Sequence, residues 1–69
     1  MRCSTITAAL RKEGLPMELV KGQGYLYFIY DDGKVFETES VYTYRLKDLD
    51  KDQWMAIGQE FAKKIRAAS

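Results

Sequence analysis

The side chains of this chain that could do chemistry are carboxylates, tyrosines, lysines, arginines and a single thiol. Histidine is absent, so neither a Ser–His nor a Cys–His couple can form, and the usual metal-ligand sets lack their commonest member. Cys3 opens an amphipathic segment on its apolar side and reads as filler of a core, not as a nucleophile. Asp48-Leu49-Asp50-Lys51-Asp52 copies the opening spacing of a calcium loop. Gln53 stands where that loop needs glycine, however, and Gln59 where it needs a bidentate glutamate. Those aspartates suit the start of a helix instead. Asp31, Asp32, Glu37 and Glu39 could pair as acid and base, but they fall on a hairpin and a strand edge, where carboxylates are solvated. Gly22-Gln23-Gly24 joins two strands and is too short to cradle a phosphate. The expectation is a protein that is not an enzyme, without cofactor or metal.

Aromatic side chains remain. Five tyrosines in 69 residues are many, and a tyrosine combines a stiff apolar ring with a polar tip, which suits surfaces that are wet at one time and covered at another. The elements that position them can be read from the spacing. Residues 4–13 form a helix with Cys3, Ile6, Ala9 and Leu10 on one face. Ser4 or Thr5 is the expected cap, and Gly14, Leu15 and Pro16 are the stop. Residues 17–21 read as a strand and 22–24 as a turn. Residues 25–30 are a second strand, aromatic or branched aliphatic throughout. Asp31-Asp32-Gly33-Lys34 signals a hairpin, because Asp-Gly suits the turn that matches strand twist. The third strand then runs from Val35 to about Thr43, with a bulge or bend expected at Thr38-Glu39-Ser40.

The final helix has the clearest start. Asp50 is the cap, Gln53 completes a capping box, and Trp54 can staple back onto Leu49. Its expected apolar face is Trp54, Ile57, Gly58, Phe61, Ile65 and Ala68, with Gly58 permitting a close approach. The fold class is therefore α+β, in the order helix, three-stranded antiparallel meander, helix. Both helices pack on one sheet face of a single domain spanning residues 1–69.

A sheet covered on one side leaves the other open. With Leu26 and Phe28 assigned to the core, Tyr25, Tyr27 and Ile29 fall on the open face. The third strand adds Tyr42 or Tyr44, depending on its register. Lys21, Lys34 and Arg45 flank that surface. A protein partner bound through the tyrosine face is the leading expectation. The alternatives are nucleic acid, with the three cations on phosphates, and a homodimer in which two open faces close on each other.

Net charge bears on that choice. Eleven basic residues against ten acidic ones is not the excess of a dedicated nucleic-acid binder. One cysteine, no export signal and no apolar run beyond six residues lead us to expect a cytoplasmic protein without a membrane span. Lys21-Gly22-Gln23-Gly24-Tyr25-Leu26-Tyr27-Phe28 resembles the base-stacking strand of RNA-recognition motifs, but Gln23 replaces a stacking aromatic. The element order resembles that of double-stranded-RNA-binding domains, but Asp50 and Asp52 stand where those carry a basic cluster. Over residues 15–55, Gly22-x-Gly24-Tyr25-x-Tyr27-Phe28, Ser40-Val41-Tyr42 and the Leu49-to-Trp54 helix start resemble a pattern in small uncharacterised phage and prophage proteins. That resemblance implies a bacterial cytoplasm and an accessory role, such as blocking a host enzyme or defence complex or assisting a phage nucleoprotein.

Overall fold

The computed structural model describes residues 2–68. Helix α1 (Cys3–Lys12) is followed by strands β1 (Met17–Lys21), β2 (Leu26–Asp31) and β3 (Phe36–Val41). A single 3-10 turn at Leu46–Asp48 then leads into helix α2 (Lys51–Ala68). The strands form one antiparallel sheet in the order β1-β2-β3. Both helices pack against the same face of it, which is the αβββα arrangement expected from the residue pattern.

Helix α1 begins one residue before the expected start at Ser4 and is not capped by a hydroxyl. Arg2, extended, is the cap and makes no side-chain cap hydrogen bond, while the Thr5 N–H donates to the Arg2 carbonyl at 3.0 Å. Ser4 and Thr5 are thereby inside the first turn and do not cap it. The other end closes as Gly14 and Leu15 require. Gly14 sits at φ +82°, its N–H donates to the Arg11 carbonyl at 3.0 Å, and the Leu15 N–H reaches back to Leu10 at 3.0 Å. This pair of bonds is a Schellman closure, and it brings buried Leu15 to the same core as Leu10. Arg11 and Lys12 lie in the last turn, where the helix dipole favours cations.

In the sheet, Met17, Leu19, Leu26, Phe28 and Tyr30 alternate into the core. β2 and β3 pair without interruption from Leu26↔Val41 to Asp31↔Phe36, so the bulge or bend expected at Thr38–Ser40 does not occur. The polar composition there reflects an exposed edge strand, not a broken ladder. The hairpin also differs in detail from the turn that Asp-Gly usually makes. Gly33 alone takes a positive φ, of 88°, and Asp32 does not. Instead the Asp32 carboxylate accepts the N–H groups of Val35 (2.8 Å) and Lys34 (2.9 Å), and Asp31 accepts that of Gly33 (3.0 Å). A side chain thus supplies bonds that a tighter turn would make with backbone.

At the start of α2 the capping box forms as expected. The Gln53 N–H donates to Asp50 Oδ1 at 2.8 Å, and the Asp50 N–H to Gln53 Oε1 at 3.0 Å. Trp54 is fully buried, lies 6.2 Å from the Phe28 ring centroid, and donates its indole N–H to the Leu46 carbonyl at 2.9 Å. Leu49 packs at the margin of the same core. The buried face of α2 is Trp54, Met55, Gly58, Phe61 and Ala62, with Ile57 and Ile65 half-buried and Ala68 exposed. Met55 and Ala62 therefore join the expected stripe and Ala68 leaves it. The reasons are geometric. Helix α2 meets α1 as well as the sheet, so its contact arc is wider than one stripe. Eighteen helical residues also span about 27 Å, whereas a six-residue strand spans about 20 Å, so the helix end runs past the sheet.

Gly58 is a point of close approach between the layers. A Cβ there would lie 3.0 Å from Leu10 Cδ2 and 3.3 Å from Phe28 Cε1. Gly58→Leu is expected to destabilise the fold by about 1–3 kcal/mol through overpacking, read as a lowered urea midpoint. Gly58→Ala should fall near the parent, because roughly 0.5–1 kcal/mol of helix preference offsets the crowding.

The two backbone bonds from Val35 and Lys34 hold the Asp32 carboxyl below its ordinary pKa. A native pKa below the unfolded one means that the hairpin contribution is present above the usual aspartate range. It is lost as the pH falls through the lowered value. Amide shifts of Lys34 and Val35 should titrate together at a midpoint below that of an ordinary aspartate, and Asp32→Asn should remove the transition.

Candidate functional site: the tyrosine-bearing sheet face

The register decides which side chains share the open face. Residues paired across an antiparallel ladder point to the same side, so Val20, Tyr27 and Ser40 form one row, and Glu18, Ile29 and Thr38 the next. Asp31 and Phe36 close the face at the hairpin end. At the opposite end Tyr25 and Tyr42, each just outside its strand, extend the rows.

Tyr25 is seated by a glycine. The Gly22 N–H donates to the Tyr25 carbonyl at 2.8 Å, and a Cβ on Gly22 would come within 3.0 Å of Tyr25 Cζ. The missing side chain leaves the place that the ring occupies. From there Tyr25 contacts Tyr42 at 5.1 Å between centroids and Tyr27 at 5.9 Å, with ring planes tilted by 34° and 39°. Both separations fall within the range of interacting aromatic pairs. Tyr25, Tyr27 and Ile29 are half-buried, whereas Tyr42 is 75% exposed.

Tyr44 is 42% exposed and lies beyond β3, in the link to the 3-10 turn. Both Tyr42 and Tyr44 are thus exposed, and the choice between them expected from strand register does not arise. Phe36, at 65% exposure, is a member of this surface that the sequence reading missed. Its signal was available: Phe36, Thr38, Ser40 and Tyr42 keep one alternating phase once the assumed bulge is dropped.

The three flanking cations are dispersed. Lys21 pairs with core-facing Leu26, which turns its side chain toward the helix side at the tyrosine end. Arg45 lies past β3, and its backbone N–H donates to the Asp48 carboxylate at 2.8 Å. Lys34 is in the hairpin at the far end of the sheet, a strand length of about 20 Å away. Among the described residues, the strands place no lysine or arginine on the open face; its charged members are Glu18 and Asp31. Glu18 pairs with Arg11 at 3.8 Å around the β1 edge.

The remaining reactive candidates do not gather into a site. Half-buried Cys3 packs at the core margin, and burial raises its thiol pKa more than the nearby charge of Lys21 lowers it. No group of three acids or thiols placed to hold a metal occurs among the described residues. Comparison with protein-family models, with curated proteins and with solved structures gave no match.

Proposed function

We propose that this protein is a non-enzymatic binding module whose partner is another protein, engaged through the tyrosine-bearing face of the sheet. The observation that carries this reading is a contiguous ring cluster, Tyr25–Tyr27–Tyr42, on a face whose strands carry hydroxyls and aliphatics but no cation. Stiff, amphipathic rings bind with little loss of side-chain freedom and are enriched among the residues that dominate protein interfaces. Phosphate recognition would need Lys or Arg beside the rings. Lys21 and Arg45 share the tyrosine end with the cluster, so a nucleic-acid mode would be confined to that end. The resemblance to small phage and prophage proteins supplies the proposed setting, an accessory protein or inhibitor acting on a host or defence complex in a bacterial cytoplasm.

The first test is a titration of isotope-labelled protein with mixed short DNA and RNA at low and moderate salt. The binding-module reading expects no salt-sensitive shifts at Gly24–Tyr27 or Tyr42–Arg45. Such shifts, weakening steeply with salt, would move the protein to the nucleic-acid class. In pull-downs from bacterial lysate, Tyr27→Ala should lower partner capture by roughly 30-fold, the scale of an interface hot spot, while its urea midpoint stays close to the parent's. Unchanged capture would remove Tyr27 from the interface.

A further inference from the structure

The two edges of the sheet are not equivalent. Hydrogen bonds at the ends of the β1/β2 ladder, from Gly22 N–H to Tyr25 and from Asp31 N–H to Pro16, identify its bonded rungs. Met17, Leu19 and Lys21 therefore turn their backbone groups away from β2. Two of its three outward N–H groups are already occupied. The Leu19 N–H donates to Thr7 Oγ1 of α1 at 3.0 Å, and the Met17 N–H to the Leu15 carbonyl at 2.9 Å.

On β3 the same alternation, continued by Asp32 N–H to Val35, turns Glu37, Glu39 and Val41 toward β2. Phe36, Thr38 and Ser40 face outward with their N–H and C=O groups. Among the described residues, no hydrogen bond closes those outward groups. An exposed row of this kind is a template for another strand.

Two further features say what that strand should be. Large apolar exposure is concentrated along this edge, with Phe36 at 65% and Tyr42 at 75%, while the aromatic and aliphatic residues farther in are half-buried. On the helix side of β3 the side chains are Glu37, Glu39 and, at the tyrosine end, half-buried Val41. Lys64 reaches Glu39 at 3.6 Å across an exposed gap, and Glu37 has no ion pair among the described residues. A second copy is a poor occupant. Antiparallel pairing of β3 with itself in its central registers sets glutamate against glutamate, and like charges directly opposite destabilise a ladder.

Resting on the protein-binding reading above, we infer that the free edge of β3 accepts an extended partner segment in which lysine or arginine alternates with apolar residues. The cations meet Glu37 and Glu39, and the apolar side chains cover Phe36 and continue the tyrosine face. Main-chain bonds to Phe36, Thr38 and Ser40 hold the segment, and the alternation selects it.

The test uses the labelled full chain and two seven-residue peptides, one alternating lysine with valine and the other glutamate with valine, at moderate salt. The lysine peptide should bind roughly tenfold more tightly, slow hydrogen exchange at Thr38 and Ser40, and leave Leu19 unchanged. The double variant Glu37→Lys with Glu39→Lys should reverse the preference. Equal binding of the two peptides overturns the inference. Shifts confined to Tyr25 and Tyr27, without protection of Thr38 and Ser40, also overturn it while keeping the face as an interface. Protection that appears with protein concentration alone assigns the edge to a second copy and overturns it too. Failure of the face reading shows separately, as lysate capture unaffected by Tyr27→Ala while edge protection by the lysine peptide persists.

Discussion

The packing of two helices onto one three-stranded sheet turns on a single close approach. Gly58 leaves Leu10 and Phe28 just enough room to meet under α2, and Trp54 fills the space beside them with its indole N–H satisfied by Leu46. A chain of this length buries a modest share of its surface, about 60%, and the only cysteine here cannot make an internal crosslink. The core must therefore be dense where it exists. Its largest fully buried side chains, Trp54 and Phe28, come from different layers and touch each other. The Schellman closure at Gly14 then delivers Leu15 and Met17 to the same core without a long connection.

The same arrangement produces the exposed surface. Two helices cover one side of a sheet only, so every second residue of β2 lies on the uncovered side whatever its chemistry. Tyrosine and isoleucine there keep strand preference without placing charges in the middle of a small sheet. Gly22 lets Tyr25 lie down against the backbone, and Tyr25 then bridges Tyr27 and Tyr42. The cluster is thus a product of turn geometry as much as of strand alternation, and that is why it gathers at one end of the sheet.

Most of the architecture was legible in the residues because local signals agreed with the global pattern. The Gly14-Leu15-Pro16 stop, the Asp50/Gln53 box and the alternation of Leu26 and Phe28 each have one reading, and the structure adopts it. Three features were less legible. The start of α1 relies on backbone, not on a hydroxyl, and no side-chain pattern announces that. The regularity of β3 was hidden because an edge strand has little hydrophobic alternation to display; Phe36 was overlooked for the same reason. The buried arc of α2 could not be drawn from one helix alone, since Met55 and Ala62 are buried by where α1 and the sheet lie. For the tyrosine face, sequence identified Tyr25, Tyr27, Ile29 and Tyr42, but the contacts among the three tyrosines depend on a glycine three residues before Tyr25.

The bond from Leu19 to Thr7 reaches beyond stability. Sheets grow by repeated strand addition only when each unit offers two open sides, as a monomer must in any polymerisation. A hydroxyl from α1 takes the central outward N–H of β1 here, and Leu15 takes that of Met17, so the two sides are unequal in the polymer chemist's sense. An aromatic face beside an open strand edge is ordinarily an invitation to fibre formation, and in this fold the Thr7 hydroxyl withdraws from the opposite edge the central donor that repeated addition would use.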